Sequence, residues 1–136
     1  MNINKKYQTM EHRNDITKVI IAGSRTFDDY NKLSSSCDSI LKDIAQKHTI
    51  NIVSGCATGA DALGERYASE KGYAVLRCPA DWKRHGKAAG PIRNAEMAAC
   101  ADILICFWDG LSKGTKHMIS AAKKEGLQIH VIPFLP

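Results

Sequence analysis

Short apolar, β-branched runs alternate with helix-period segments along nearly the whole chain, and that alternation limits the fold more than any other feature. Lys18-Val19-Ile20-Ile21-Ala22 leads into Gly23-Ser24-Arg25 and reads as a first strand with its exit turn. Asp28 and Asp29 can cap the helix that follows, whose Leu33, Cys37, Ile40, Leu41 and Ile44 recur at helical spacing. Ile52 and Val53 mark a second strand. A helix from about Ala60 to Lys71 gathers Leu63, Tyr67 and Ala68 on one face and stops at Gly72. Tyr73 to Leu76 is a third strand, and Arg77 to Gly90 the longest irregular stretch. Pro91, at a favoured first-turn position, opens a helix carrying Met97, Ala98 and Ala101. Asp102 to Phe107 is the fourth strand and Asp109 to Gly114 the loop after it. A last helix, about Thr115 to Lys124, stops at Gly126, and Gln128 to Ile132 is the fifth strand. Such a pattern predicts an α/β domain with a mainly parallel five-stranded sheet and helices on both faces.

In open sheets of this kind ligands bind beyond the carboxyl ends of the strands, where the loops after strands one, two and four must lie. The central one is Ser54-Gly55-Cys56-Ala57-Thr58-Gly59-Ala60-Asp61. Its small side chains let a ligand approach the backbone, and the helix start behind it offers N–H groups and partial positive charge. Ser54, Gly55, Gly59 and Ala60 are therefore candidate ligand contacts. Asp61 would repel a phosphate, so a ribose hydroxyl is its natural target, although a first-turn aspartate also offsets the helix dipole. At the strand-one exit, Gly23, Ser24 and Arg25 supply a glycine, a hydroxyl and a guanidinium; a tight turn with a solvated arginine explains the same residues.

Residues 80–94 join an aromatic, several basic groups and a helix start. A base could stack on Trp82 while Lys87 or Arg93 meets phosphate beside Asn94, or Trp82 could simply pack. His85 by itself is too little for a general base. After strand four, Gly114-Thr115 offers a further backbone anion site, and Asp109 a ribose or base contact. Arg25 stands where a dinucleotide fingerprint needs its second glycine, and no acidic residue ends strand two. A nicotinamide dehydrogenase is disfavoured, and the missing Walker lysine excludes a P-loop NTPase.

With 136 residues the chain fits one domain, 17–136, after a flexible tail, 1–16, that lacks the apolar core of a secretory signal. No apolar run approaches the roughly 20 residues of a membrane helix. The five cysteines are widely spaced without a Cys-x-x-Cys pair, which argues against structural zinc or a disulfide framework and for a reducing cytoplasm. A net charge of +5 suits acidic partners, but the basic residues are spread out, with no arginine-rich arm. Nucleic acid is a minor alternative to free nucleotides. No metal-ligand spacing stands out, so no metal is expected beyond a Mg²⁺ carried by the ligand.

Four ordered motifs then carry a resemblance: Gly23–Phe27, Ser54–Asp61, Gly86–Asn94, and Phe107–Gly110 with Lys113-Gly114-Thr115. They are similar to the YspA/YpsA-related SLOG family over about Lys18 to Pro133. The resemblance implies a Rossmann-like, doubly wound fold, a nucleotide or nucleotide-derived ligand of the ADP-ribose or NAD kind, a homodimer, and a bacterial or phage source. DprA and the Lonely Guy phosphoribohydrolases belong to the same superfamily. The hydrolases cleave nucleoside monophosphates with an arginine, matched by Arg93, and a glutamate shortly after Gly-Thr. That position is Met118, which cannot ionise. Catalysis would have to use Asp109 or Asp61 as its carboxylate. Binding or sensing of a nucleotide derivative is the reading these residues support best. A nucleotide N-glycosidase or ribosyl transferase is the alternative, and a DprA-like nucleic-acid module a minor one.

Overall fold

The computed structural model describes residues 15–136. Five strands form one parallel sheet in the order β3-β2-β1-β4-β5. The strands are β1 (Ile16–Gly23), β2 (Thr49–Ser54), β3 (Ala74–Arg77), β4 (Ile103–Trp108) and β5 (Gln128–Pro133). Helix α1 (Tyr30–Lys47) follows β1, α2 (Ala60–Lys71) follows β2, and α5 (Lys113–Glu125) follows β4. Between β3 and β4 lie a single helical turn α3 (Trp82–His85), a 3-10 turn at Gly86–Ala88, and α4 (Ala89–Cys100). Among the described residues no helix is long and apolar enough to cross a membrane.

The expected α/β sandwich is present, and strand alternation builds it. Val19 and Ile21 of β1 join Ile52, Ile105 and Phe107 beneath Leu33, Cys37 and Leu41 of α1 and Tyr67 and Ala68 of α2. Ile20 and Ala22 point the opposite way, joining Val53, Leu104 and Cys106 beneath Met97 and Ala98 of α4 and Met118 and Ala122 of α5. The central strands are buried on both faces, as a doubly covered parallel sheet requires. Two cysteines serve this core as small hydrophobes: burial pushes the Cys37 and Cys106 thiols up to about 12.

Several boundaries differ from the sequence expectation, each for a local reason. The tail expected over 1–16 lies outside the described residues except for Asp15 and Ile16, and Ile16 already pairs with Thr49 in β1. The stretch expected to be irregular from Arg77 to Gly90 holds α3, where the Asp81 carboxylate caps the Arg84 N–H at 3.1 Å. Helix α4 starts at Ala89, so Pro91 is its third residue, where a missing N–H still costs nothing. Helix α5 likewise starts earlier, because Ser112 caps it through the Thr115 N–H at 3.3 Å. Tyr73 precedes the third strand rather than belonging to it.

The sheet order places the topological reversal between β1 and β4. The chain runs outward through β2 and β3, returns to the other side of β1, and continues to β5. Loops leaving β1 and β4 therefore diverge, opening a crevice at the carboxyl edge. Close packing of α2 on β1 fixes one wall of it. Gly64 presses on Ile21 so tightly that an added Cβ would lie 2.7 Å from Ile21 Cγ2 and 2.8 Å from its Cβ. Gly64→Ala should lower stability by about 1–3 kcal/mol despite the better helix propensity of alanine. Thermal and urea unfolding followed by circular dichroism measures this; a raised melting temperature would mean that α2 moves freely off the sheet.

Candidate functional site

A cavity of about 300 Å³ opens at the β1/β4 reversal. Eight of the expected site residues line it: Gly23, Arg25, Asp61, Trp82, Arg93, Asn94, Gly114 and Thr115. Ser24, Ser54, Gly55, Gly59 and Ala60 lie outside its lining, and so do Lys87 and Asp109. Its wall also includes Lys113, His117 and Met118 from α5, which periodicity alone would assign to a solvated face and to the core.

The loop after β2 is consumed by its own hydrogen bonds. Ser54 Oγ accepts the Cys56 N–H at 3.1 Å and donates to Glu65 at 2.6 Å, while Glu65 also pairs with Arg77. The Asp61 carboxylate accepts the Ala57 N–H at 3.1 Å, and the Ala60 N–H is taken by the Ser24 carbonyl at 3.3 Å. Three N–H groups that could have cradled an anion are thus satisfied within the protein, and a buried carboxylate sits among them. Gly59 meets a steric demand of the fold. Its φ is +74°, and a Cβ there would run into the Arg25 carbonyl. Cys56 takes a left-handed backbone at φ 67° without being glycine, so this loop is held against local strain.

Ser24 is buried and structural. Its hydroxyl accepts the Asp109 N–H at 3.2 Å, and its own N–H reaches the Phe107 carbonyl at 2.9 Å. Asp109 turns its carboxylate back into its own loop, accepting the Leu111 and Ser112 N–H groups at 2.8 Å each. Those backbone bonds hold its carboxyl below the usual range. Arg25, by contrast, is exposed on the cavity wall and makes no ion pair among the described residues.

Arg93 and Asn94 are consecutive on α4 and grip opposite walls. Arg93 donates to the Gly55 carbonyl, and to Cys78 O at 3.5 Å, tying the exits of β2 and β3. Asn94 is buried and donates to Gly114 O at 3.4 Å at the start of α5. Trp82 leaves about half its surface exposed at the rim, over Gly90. Met118 is buried in the wall and brings no ionisable group to it. Among the described residues no group of three His, Cys, Asp or Glu side chains could hold a metal.

Asp61 is the one acidic residue in the cavity lining. Burial raises its carboxyl above the ordinary range, against the lowering effects of the Ala57 N–H and the Arg93 and Arg25 charges. A carboxyl whose folded pKa is raised costs stability once ionised. That cost is present above its folded pKa and fades as pH falls through it toward the unfolded value. Asp61→Asn keeps an oxygen for Ala57 and removes the charge. It should raise stability near pH 7 by about 1 kcal/mol, roughly 4 °C in melting temperature, with the gain shrinking as the solution is acidified. Thermal melts from pH 4 to 8 check this; a lower melting temperature at neutral pH would show Asp61 to be a structural anchor.

Comparison with known proteins gives a consistent picture. Residues 17–85 match the model of the YspA, cpYpsA-related SLOG family. The Gene 61 protein of Mycobacterium phage D29 is 34% identical over 119 residues, covering 82% of this chain and 93% of that protein. The X-ray structure of DNA processing protein A (DprA) from Streptococcus pneumoniae aligns over 88% of this chain with a TM-score of 0.67. At 21% identity this is a likeness of fold, and the chain spans 51% of the DprA chain.

Proposed function

The chain belongs to the YspA, cpYpsA-related SLOG family, and from that premise we propose that it binds a phosphate-bearing nucleotide or nucleotide derivative as a sensor. Family membership already ties the chain to nucleotide-related biochemistry. The observation that carries the finer reading is the chemistry gathered in one 300 Å³ cavity: cations at Arg25 and Lys113, a buried carboxylate at Asp61, and an exposed indole at Trp82. Arg25 and Lys113 meet the phosphate, Asp61 accepts from a ribose hydroxyl, and Trp82 stacks on the base. A site of this volume is at the lower end for small-molecule pockets and suits a mononucleotide-sized group.

Binding is favoured over turnover because carboxylates are scarce. Met118 cannot ionise, and Asp109 is committed to its own loop. Glycosidic cleavage remains the second reading, with Asp61 as the one carboxylate lining the cavity. The same proposal takes the protein to act in the cytoplasm as a homodimer, which sedimentation equilibrium tests.

Isothermal titration with AMP, ADP-ribose and NAD, with product analysis of each mixture, tests the function. Arg25→Ala should weaken nucleotide binding about ten-fold, as loss of a charge-assisted hydrogen bond does, and leave the melting temperature unchanged. Unchanged affinity would remove Arg25 from the site. Free base or ribose phosphate in the mixture would convert the sensor into a hydrolase. Binding confined to single-stranded DNA, with a steep salt dependence, would replace both by a nucleic-acid module.

A further inference from the structure

His117 stands on α5 one turn after Gly114, lines the cavity, and belongs to none of the sequence motifs. Its hydrogen-bond partner can be worked out from the neighbours. Arg93 Nε always carries a hydrogen, so the Asn94 atom it meets at 3.1 Å must accept. That fixes the Asn94 amide with Oδ1 toward Arg93 and Nδ2 toward α5. The two Nδ2 hydrogens then face the Gly114 carbonyl at 3.4 Å and His117 Nδ1 at 3.3 Å. A ring nitrogen that receives an amide hydrogen carries none itself, so Nδ1 accepts and the imidazole hydrogen sits on Nε2. Asn94 is only 6% exposed, which leaves little room for water to rearrange the relay. Nε2 has no hydrogen-bond partner among the described residues.

We propose that His117 is a ligand-binding residue whose Nε2–H donates to a phosphate oxygen of the nucleotide, with Arg93 and Asn94 as positioning residues that hold its tautomer. The inference deepens the nucleotide reading and rests on it. Lys113, on the same helix end, and Arg25 line the same cavity, so the group that His117 meets is an oxyanion. The positive end of α5 adds to that preference. The consecutive Arg93-Asn94 pair thereby gains a purpose beyond packing: one member closes the β2 side of the cavity, and the other aims a donor on the α5 side.

Long-range ¹H–¹⁵N correlation of the full chain with labelled histidine reads the tautomer directly, the His117 signals being assigned by their loss in His117→Gln. The expected result is an Nε2–H tautomer whose Nε2 signal moves on titration with AMP or ADP-ribose. Asn94→Asp presents two acceptors, so Nδ1 must then donate and the tautomer should switch to Nδ1–H. Both Asn94→Asp and His117→Ala should bind AMP about ten-fold more weakly, and His117→Gln, which keeps an amide hydrogen near the same place, within about three-fold of the native protein. An Nδ1–H tautomer in the native protein overturns the relay. Native-like AMP and ADP-ribose affinity in His117→Ala removes His117 from the site while leaving the nucleotide function standing. Absence of saturable binding by the native protein overturns the nucleotide reading itself, and the role of His117 with it.

Discussion

Four hydrogen bonds converge on Ser24, and the carboxyl edge of the sheet depends on them. Its N–H meets the Phe107 carbonyl, its carbonyl receives the Phe27 and Ala60 N–H groups, and its hydroxyl receives the Asp109 N–H. One buried residue thus joins the exits of β1 and β4 to the start of α2. Because these loops surround the reversal point of the sheet, their mutual position sets the shape of the cavity. The tight approach of Gly59 to the Arg25 carbonyl has the same origin, since α2 must come close enough for the Ala60 N–H to reach Ser24.

A second layer of constraint comes from α4. Arg93 and Asn94 reach across to backbone carbonyls on both sides, at Gly55 and Gly114. An arginine occupied in this way is a brace, and its positive charge also reaches the buried Asp61 carboxyl. Arg93, Asn94 and Asp61 are therefore held in place on the cavity wall by hydrogen bonds within the protein. Arg25 differs in kind: exposed and without an ion pair among the described residues, it is available to a ligand.

The two families of loop contribute unequally. Small residues after β2 look like an anion cradle, yet their N–H groups serve the Ser54, Asp61 and Ser24 oxygens. The start of α5 carries Lys113 and Gly114 on the cavity wall, with open space where a Gly114 Cβ would stand. Cations thus stand on more than one wall of the site, Lys113 at the start of α5, and Arg25 and Arg93 close enough for their charges to reach the Asp61 carboxyl.

Amino-acid order alone determined the strands, most helices, and the burial of both sheet faces, because period-2 and helical spacing are local properties of the chain. Leu33, Cys37 and Leu41 announce the buried stripe of α1, and Gly72 and Gly126 end their helices in left-handed caps. Each of the four motifs that resemble the family contributes residues to the cavity wall, three of them from strand exits and Gly86–Asn94 from the turn and helix before β4. α3 escaped notice because Trp82–His85 has no apolar periodicity and depends on one Asp81 cap. Only tertiary structure decided which groups within those loops face the cavity. Ser24, Ser54 and Asp109 present ligand-like oxygens in sequence, but each is claimed by a backbone N–H nearby, two of them within three residues and the third 85 residues away. His117 reads as an ordinary helical residue until Asn94, 23 positions earlier, is brought beside it. A side chain's chemistry is written in the sequence, but whether its donors and acceptors are already satisfied depends on which distant atoms folding brings within hydrogen-bond reach.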